Sequence, residues 1–318
     1  MKKFRIVLGV LLILVMLLNL SGCFARTRYN VFSEKEHTIT QVSCTKRDYI
    51  GIVLDNEELV VCDYKGNELS RKRFEKHITN VDIYCDRVLM QFEDNSIELY
   101  YLENNNMMLK LERSFTSAIS KSKLIAWGSE IPASMVVFLE NGELYASKDP
   151  DSPEVIDVIS DNVKTVETCG ENIVYITEDG EVVHYRYGRP YGLQPEIDSE
   201  IARGIEELKI ASFNGKDGFL GVGKNQTSYI RGIPLRIDDD ADIAEINPET
   251  VIAGHFSYCS VLYQDDGKWY YEGTTRDYRS SIRHDERRRI RPANGESMLP
   301  IPGGVIFYTD HNVRIQLI

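Results

Sequence analysis

A hairpin that recurs along nearly the whole chain constrains its fold more than any other feature. An apolar run leads into a short polar turn and a second run leads out. This happens at 50–54 with Asn56-Glu57, 88–90 with Asp94-Asn95, 135–139 with Asn141-Gly142, and 173–176 with Asp179-Gly180. Later copies are 219–222 with Lys224-Asn225, 258–262 with Asp266-Gly267, and 305–308 with Asp310-His311. The second turn residues fall at 57, 95, 142, 180, 225, 267 and 311. Their mean spacing of about 42 residues is that of one four-stranded blade of a β-propeller. Asn-Gly and Asp-Gly supply the positive φ that a type I′ turn requires, so Asn141-Gly142, Asp179-Gly180 and Asp266-Gly267 predict two-residue hairpins.

A second marker precedes several turns: Ile39-x-x-Val42, Ile78-x-x-Val81 and Val163-x-x-Val166, which lie 17, 16 and 16 residues before the first turn residue. These read as inner strands. Seven units of about 42 residues need about 294, and removing residues 1–22 from the 318 leaves 296. The fold class expected is all-β, a seven-bladed propeller of four-stranded antiparallel blades. Its last unit has only Val313-Arg314-Ile315-Gln316-Leu317-Ile318 after the turn, too little for an outer strand. Residues 28–32 can supply that strand and remove two exposed edges; the alternative is a flexible tether.

The amino terminus argues for export. Lys2, Lys3 and Arg5 precede a mostly apolar run from Ile6 to Leu20, the profile of a signal peptide. As a helix those 15 residues reach about 22 Å, short of the roughly 30 Å hydrocarbon core. The following Leu20-Ser21-Gly22-Cys23 resembles the lipobox of bacterial lipoproteins. That resemblance implies cleavage before Cys23, lipid on its sulfur with palmitate among the acyl chains, and anchoring on the extracytoplasmic side of the cell membrane. Two or more acyl chains hold stably where one is marginal. The domains expected are 1–22 as signal peptide, 23–36 as lipid anchor with tether or closing strand, and 37–318 as the propeller.

Charge and cysteine content narrow the function. The chain carries 37 Lys and Arg against 49 Asp and Glu, a net charge of −12, and loss of Lys2, Lys3 and Arg5 makes the body more acidic still. Nucleic acid is therefore an unsuitable partner. Five cysteines follow Cys23, namely Cys44, Cys62, Cys85, Cys169 and Cys259, so they cannot all pair within one chain. Cys44, Cys85 and Cys169 lie in apolar β-rich stretches and read as small buried hydrophobes. No Cys-x-x-Cys pair with zinc spacing occurs.

The stretch 163–188 combines a valine-rich strand, Cys169-Gly170, an apolar strand, Glu178-Asp179-Gly180 and Tyr187-Gly188. It resembles the repeat of the regulator of chromosome condensation family. A second copy keeps Ala253-Gly254-His255, Asp266-Gly267 and Glu272-Gly273. The family's usual histidine is Asn172 here and its tryptophan-glycine is Tyr187-Gly188, so the resemblance implies the propeller rather than an inherited activity. The secreted bacterial branch of that family, in which seven such blades present loops to another protein, is similar in habitat.

No nucleophile elbow, phosphate loop or His-Glu-x-x-His is present, so no catalytic residue, cofactor or metal site is named. Asp238, Asp239, Asp240 and Asp242 lack the glycine and distal glutamate of a calcium loop. The local anomaly is basic: Arg276, Arg279, Arg283 and Arg287, with Arg288, Arg289 and Arg291, fall between the sixth and seventh units. Steps of three, four and four align the first four on one face of a helix. Such a stripe suits an anionic polymer, an acidic protein surface or the anionic membrane, or is simply a solvated face. The function expected is a monomeric, membrane-anchored binding module for a protein or envelope polymer. The alternatives are a degenerate propeller hydrolase and a structural subunit of an envelope assembly.

Overall fold

The computed structural model describes residues 28–44, 49–127, 131–147, 154–169, 172–186, 196–198, 205–213, 216–223, 228–231, 252–253, 261–272, 288–301 and 303–317. Among them every regular element is a strand. The first strand, β1 (Arg28–Ser33), is set aside for the moment. Then come β2 (Ile39–Ser43), β3 (Ile50–Leu54), β4 (Glu58–Cys62) and β5 (Glu68–Arg73) in the first sheet. The second holds β6 (Ile78–Tyr84), β7 (Arg87–Phe92), β8 (Ser96–Glu103) and β9 (Asn106–Ser114). The third holds β10 (Ile119–Trp127), β11 (Ile131–Leu139), β12 (Leu144–Ser147) and β13 (Ile156–Ser160), and the fourth β14 (Val163–Cys169), β15 (Asn172–Thr177), β16 (Val182–Arg186) and β17 (Glu196–Asp198). The fifth has three described strands, β18 (Ile205–Phe213), β19 (Lys216–Gly223) and β20 (Ser228–Arg231). The sixth runs through β21 (Ile252–Ala253), β22 (Val261–Asp265), β23 (Lys268–Glu272) and β24 (Arg288–Ile290). The last has β25 (Ser297–Ile301), β26 (Gly304–Tyr308) and β27 (Asn312–Leu317), with β1 added outside β27.

Neighbouring strands within each sheet pair antiparallel, and among the described residues apolar cores join the first four sheets in succession, the sixth to the last, and the last to the first. Ile50, Ile52 and Leu54 of β3 pack with Ile301, Ile306, Val313 and Ile315 of the last sheet. Val53 of the same strand packs with Ile78, Val81 and Val88 of the second sheet. Alternate side chains of one strand thus enter different cores, and β3 is buried along its whole length because both faces are covered. The second and third sheets meet through Leu89, Leu99, Leu124 and Val137, the third and fourth through Val136, Ala146, Ile173 and Tyr175. This face-to-face succession of small sheets, with last packed on first, is a β-propeller architecture.

The marker Ile-x-x-Val has a geometric cause. Residues three apart on a regular strand face opposite sides, yet Ile78 and Val81 are both buried, as are Val163 and Val166. A β-bulge reconciles them. The register shifts between Ile39 and Gln41, Ile78 and Asn80, Ile119 and Lys121, Val163 and Thr165, and Ile205 and Glu207. One extra residue returns the following side chains to the core face.

The turns depart from expectation at two of the three Gly sites. Asp266-Gly267 has positive φ at both residues, 47° and 67°, as a type I′ turn requires. At Asn141-Gly142 and Asp179-Gly180 only the glycine is positive, at 89° and 86°. Gly142 N donates to Leu139 O at 3.1 Å and Leu139 N to Glu143 O at 2.9 Å. Glu140 and Glu178 therefore enter the loops, making three-residue turns that close on a glycine bulge. A two-residue turn forms instead at Asn104-Asn105, both with positive φ, while Asp55 and Asn56, also positive, belong to the three-residue loop between Leu54 and Glu58.

Cys44 and Cys62 are buried in the core between the last and first sheets, and burial pushes the Cys62 thiol up to about 12, which keeps it protonated and inert. Cys85 departs from the strand expectation. It is the half-buried positive-φ corner between β6 and β7. Cys169 lies on β14, its side chain outside the described residues, as is Cys259.

Both ends of the chain build the last sheet. Arg28 pairs with Gln316, Tyr29 with Ile315 and Ser33 with Asn312, with a bulge at Val31. Val31 is 4% exposed and enters the core shared by the last and first sheets. Tyr29 meets Tyr64 edge to face, centroids 6.1 Å apart. The β4–β5 turn closes on this strand: Gly66 has φ +90°, and a Cβ there lies 2.7 Å from Val31 O. Gly295 has φ +79° with open space around it. Gly66→Ala is therefore expected to cost about 2–3 kcal/mol and Gly295→Ala only about 1, measured by denaturant unfolding. Equal costs would mean that the turn does not press on β1.

Candidate functional site at the arginine-bearing end of the sheets

Inner-strand side chains fix how the sheets sit side by side. Gln41 on β2 donates to Thr79 O at 2.7 Å and accepts from Val81 N at 3.1 Å. Asn80 on β6 donates to Ser122 O at 2.9 Å, and Lys121 on β10 to Val166 O at 2.9 Å. All three are the residue just after the bulge. Asp82 adds a second level, accepting from Leu124 N at 2.7 Å and Ser43 Oγ at 3.3 Å. It is 1% exposed, and burial raises its carboxyl above the usual range, opposed by the nearby Lys123. Two levels advancing together mean that β2, β6 and β10 run in the same direction. Sequence reasoning missed these links; the signal was a long polar side chain two residues after each inner-strand isoleucine.

One end of the sheets carries a repeated backbone latch. Ile78 N donates to Asn56 O at 2.6 Å, Val163 N to Gly142 O at 3.0 Å, and Ile39 N to Asp310 O at 2.7 Å. The third joins the last sheet to the first as the others join sheets adjacent along the chain.

The opposite end gathers the features expected to bind. Tyr271, one residue before β23 ends, donates its hydroxyl to Ile301 O at 2.9 Å and accepts from Gly303 N at 2.8 Å. It pairs with Arg288, where β24 begins. Gly304 pairs with Leu317, and Gln316 pairs with Arg28. The exit and return of the arginine-rich segment therefore lie at the same end of the last two sheets as the start of β1. Arg28, Arg288 and Arg289 are exposed there. Arg276, Arg279, Arg283 and Arg287 themselves lie outside the described residues, as do Leu20, Ser21, Gly22 and Cys23. So do the acidic run at 238–242 and the turn at Lys224-Asn225. Among the described residues no group of three or more His, Cys, Asp or Glu is placed to hold a metal ion.

At the other edge of this sheet Glu296 takes both ends of the Arg314 guanidinium, at 2.6 and 2.5 Å, and Ala293 N at 2.7 Å. Arg314 also stacks 3.9 Å over Phe307. The guanidinium holds the Glu296 carboxyl below its usual value of 4.5. A folded-state value below the unfolded one gives stability that is complete above about pH 4.5 and is lost as pH falls through the folded value. Glu296→Gln is expected to cost about 2–3 kcal/mol at pH 7. Melting curves of parent and variant should converge as pH drops below 4; a constant gap would refute the pairing.

Residues 18–227 match the family model described as RSE1/DDB1/CPSF1 second beta-propeller. The chain belongs to this family. No curated protein matches it. Among solved structures, the propeller domain of Cps50 (Swd1) from Myceliophteria thermophila is 14% identical, covering 90% of this chain and 99% of that one with a TM-score of 0.51. The WD40 domain of SCAP from fission yeast is 11% identical, covering 92% and 98% with a TM-score of 0.47. BamB from Moraxella catarrhalis is 10% identical, covering 87% and 84% with a TM-score of 0.45. At 14% identity the Cps50 likeness speaks for a shared fold, in agreement with the second-propeller family.

Proposed function

We propose that this chain is an exported lipoprotein, held to the cell membrane through Cys23. Its seven sheets are then the blades of one closed ring, two of them retaining chromosome-condensation-type repeats, and it works by recognition rather than chemistry. The partner is a protein or an anionic envelope polymer, and the arginine-rich segment carrying Arg276, Arg279, Arg283 and Arg287 is the contact.

The observation that carries this reading is that Arg28 and the stems of that segment lie at the same end of the last two sheets. Four residues lie between Cys23 and Arg28, so the two are at most about 18 Å apart along extended chain. A lipid on Cys23 therefore keeps the arginine-bearing end within a short reach of the bilayer, where anionic lipid and polymer are concentrated. The latch end then faces away.

The test is affinity capture from envelope extracts, comparing the parent with a variant carrying Arg276→Glu, Arg279→Glu, Arg283→Glu and Arg287→Glu. A partner held by the parent and lost by the variant is the expected result. Equal capture by both would reduce the arginines to a solvated surface.

A further inference from the structure

A cavity of about 230 Å³ opens where the first three inner strands meet the last sheet, lined by residues of β2, β6 and β10 and by Leu299 and Tyr308. It is smaller than the roughly 300–1,000 Å³ that hold drug-sized ligands, so its occupant is the size of a single side chain or a small metabolite. Ser43, Cys44, Val81 and Asp82 of its wall are buried, while Thr40 is exposed and Gln41, Asn80, Lys123 and Tyr308 are half-buried, so it is an open-mouthed recess with a buried floor.

Hydrogen-bond accounting identifies what the recess can take. The Gln41 carbonyl is occupied by Val81 N and its amide by Thr79 O. The Asp82 oxygens receive Leu124 N and Ser43 Oγ, and the Asn80 amide reaches Ser122. Lys123 is different. It lines the cavity, half-buried, near the Asp82 carboxyl on which its charge acts, and makes no hydrogen bond or ion pair within 4.0 Å among the described residues; the Tyr308 hydroxyl is likewise without a hydrogen bond among them. The free capacity is thus one ammonium and one hydroxyl, a donor set that calls for an anionic acceptor. Among the described residues there is one such cation, and the Asp82 carboxyl borders the same space. With Asp82 pushed toward its neutral form by burial, the one ammonium balances a single carboxylate, whereas a dianion would leave a charge uncompensated.

We propose that this cavity is a binding site for a single carboxylate group, with Lys123 as its counter-ion and Tyr308 as its hydrogen-bond donor. The carboxylate is either that of a small free acid or that of an acidic side chain presented by a polypeptide. The site is separate from the arginine-rich segment and does not depend on its role.

The test uses the full-length chain in mild detergent, melted in sodium propionate and in sodium chloride of equal ionic strength. A second arm adds a short peptide, blocked at both ends, with one central glutamate. A ligand that binds only the folded chain raises its melting temperature. The expected result is a rise with propionate, the peptide or both, beyond that in chloride. Lys123→Met should weaken it about tenfold or more, as loss of a charged hydrogen bond implies, and Lys123→Arg should retain it. A response to the peptide alone assigns the carboxylate to a polypeptide; a response to propionate assigns it to a free acid. No response beyond chloride means an adventitious ion only and overturns the proposal, as does an equal response in Lys123→Met. Should Lys123→Met not fold, Tyr308→Phe takes its place, and an unweakened response in that variant overturns the site. The fourfold arginine variant should respond as the parent does, so failure of the recognition reading leaves this result standing.

Discussion

Deleting residues 24–33, with the rest of the chain intact, should lower the melting temperature by about 10 °C or more. The deletion removes Val31 from the core between the last and first sheets and strips β27 of its outer partner. Burying a valine is worth about 1.5–3 kcal/mol, and each ladder hydrogen bond adds about 0.5–1.5. A combined loss of about 5 kcal/mol corresponds to about 10 °C in a domain of this size. The exposed edge of β27 should also promote aggregation. Val31→Asp alone should reproduce most of the effect by placing a charge in that core. An unchanged melting temperature in the deletion would mean that the last sheet is complete without β1.

The second large effect is expected at Asp82, where one carboxylate ties three inner strands. Asp82→Ala strands Leu124 N and leaves Ser43, which also receives Ile83 N, without its acceptor. Leaving the two buried groups without their acceptor costs about 1–3 kcal/mol each, here a fall of about 4–12 °C. Asp82→Asn retains one carbonyl acceptor and should cost about half as much. Equal melting of parent and Asp82→Ala would show that the tie is dispensable and that the bulges alone align the sheets.

Much of the architecture was legible because it repeats. Six of the seven marked turns fall between the second and third strands of successive sheets, and the seventh, at Lys224-Asn225, falls between β19 and β20. Residues 28–32 were open to two readings, an outer strand or a tether, and Arg28–Ser33 pairs with β27 as an outer strand. Turn type was less legible. Asn-Gly and Asp-Gly fit either loop length, and whether Glu140 and Glu178 belong to strand or loop depends on the register of pairing. The bulges were present in the Ile-x-x-Val spacing but meaningless until both residues were known to be buried. Least legible was the carboxylate of Asp82. A lone aspartate among apolar residues shows nothing of the partners that strands 40 residues away will bring to it.

The candidate site divides the same way. A stripe of arginines is visible in the sequence alone, but which end of the sheets its stems occupy is a matter of topology. Only the pairing of Gln316 with Arg28, and of Tyr271 with the β25–β26 turn, brings the start of the body and the stems of the stripe to one end. The Lys123 recess draws on four sheets and has no linear signature at all.

The central claim, a propeller held to the membrane by its first residue after cleavage, is tested most directly by labelling growing cells with palmitate. The parent should carry label and sediment with membranes, while Cys23→Ser should lose the label and leave a body with the parent's melting temperature once released. An unlabelled parent, or a Cys23→Ser variant that keeps its label, would contradict the account.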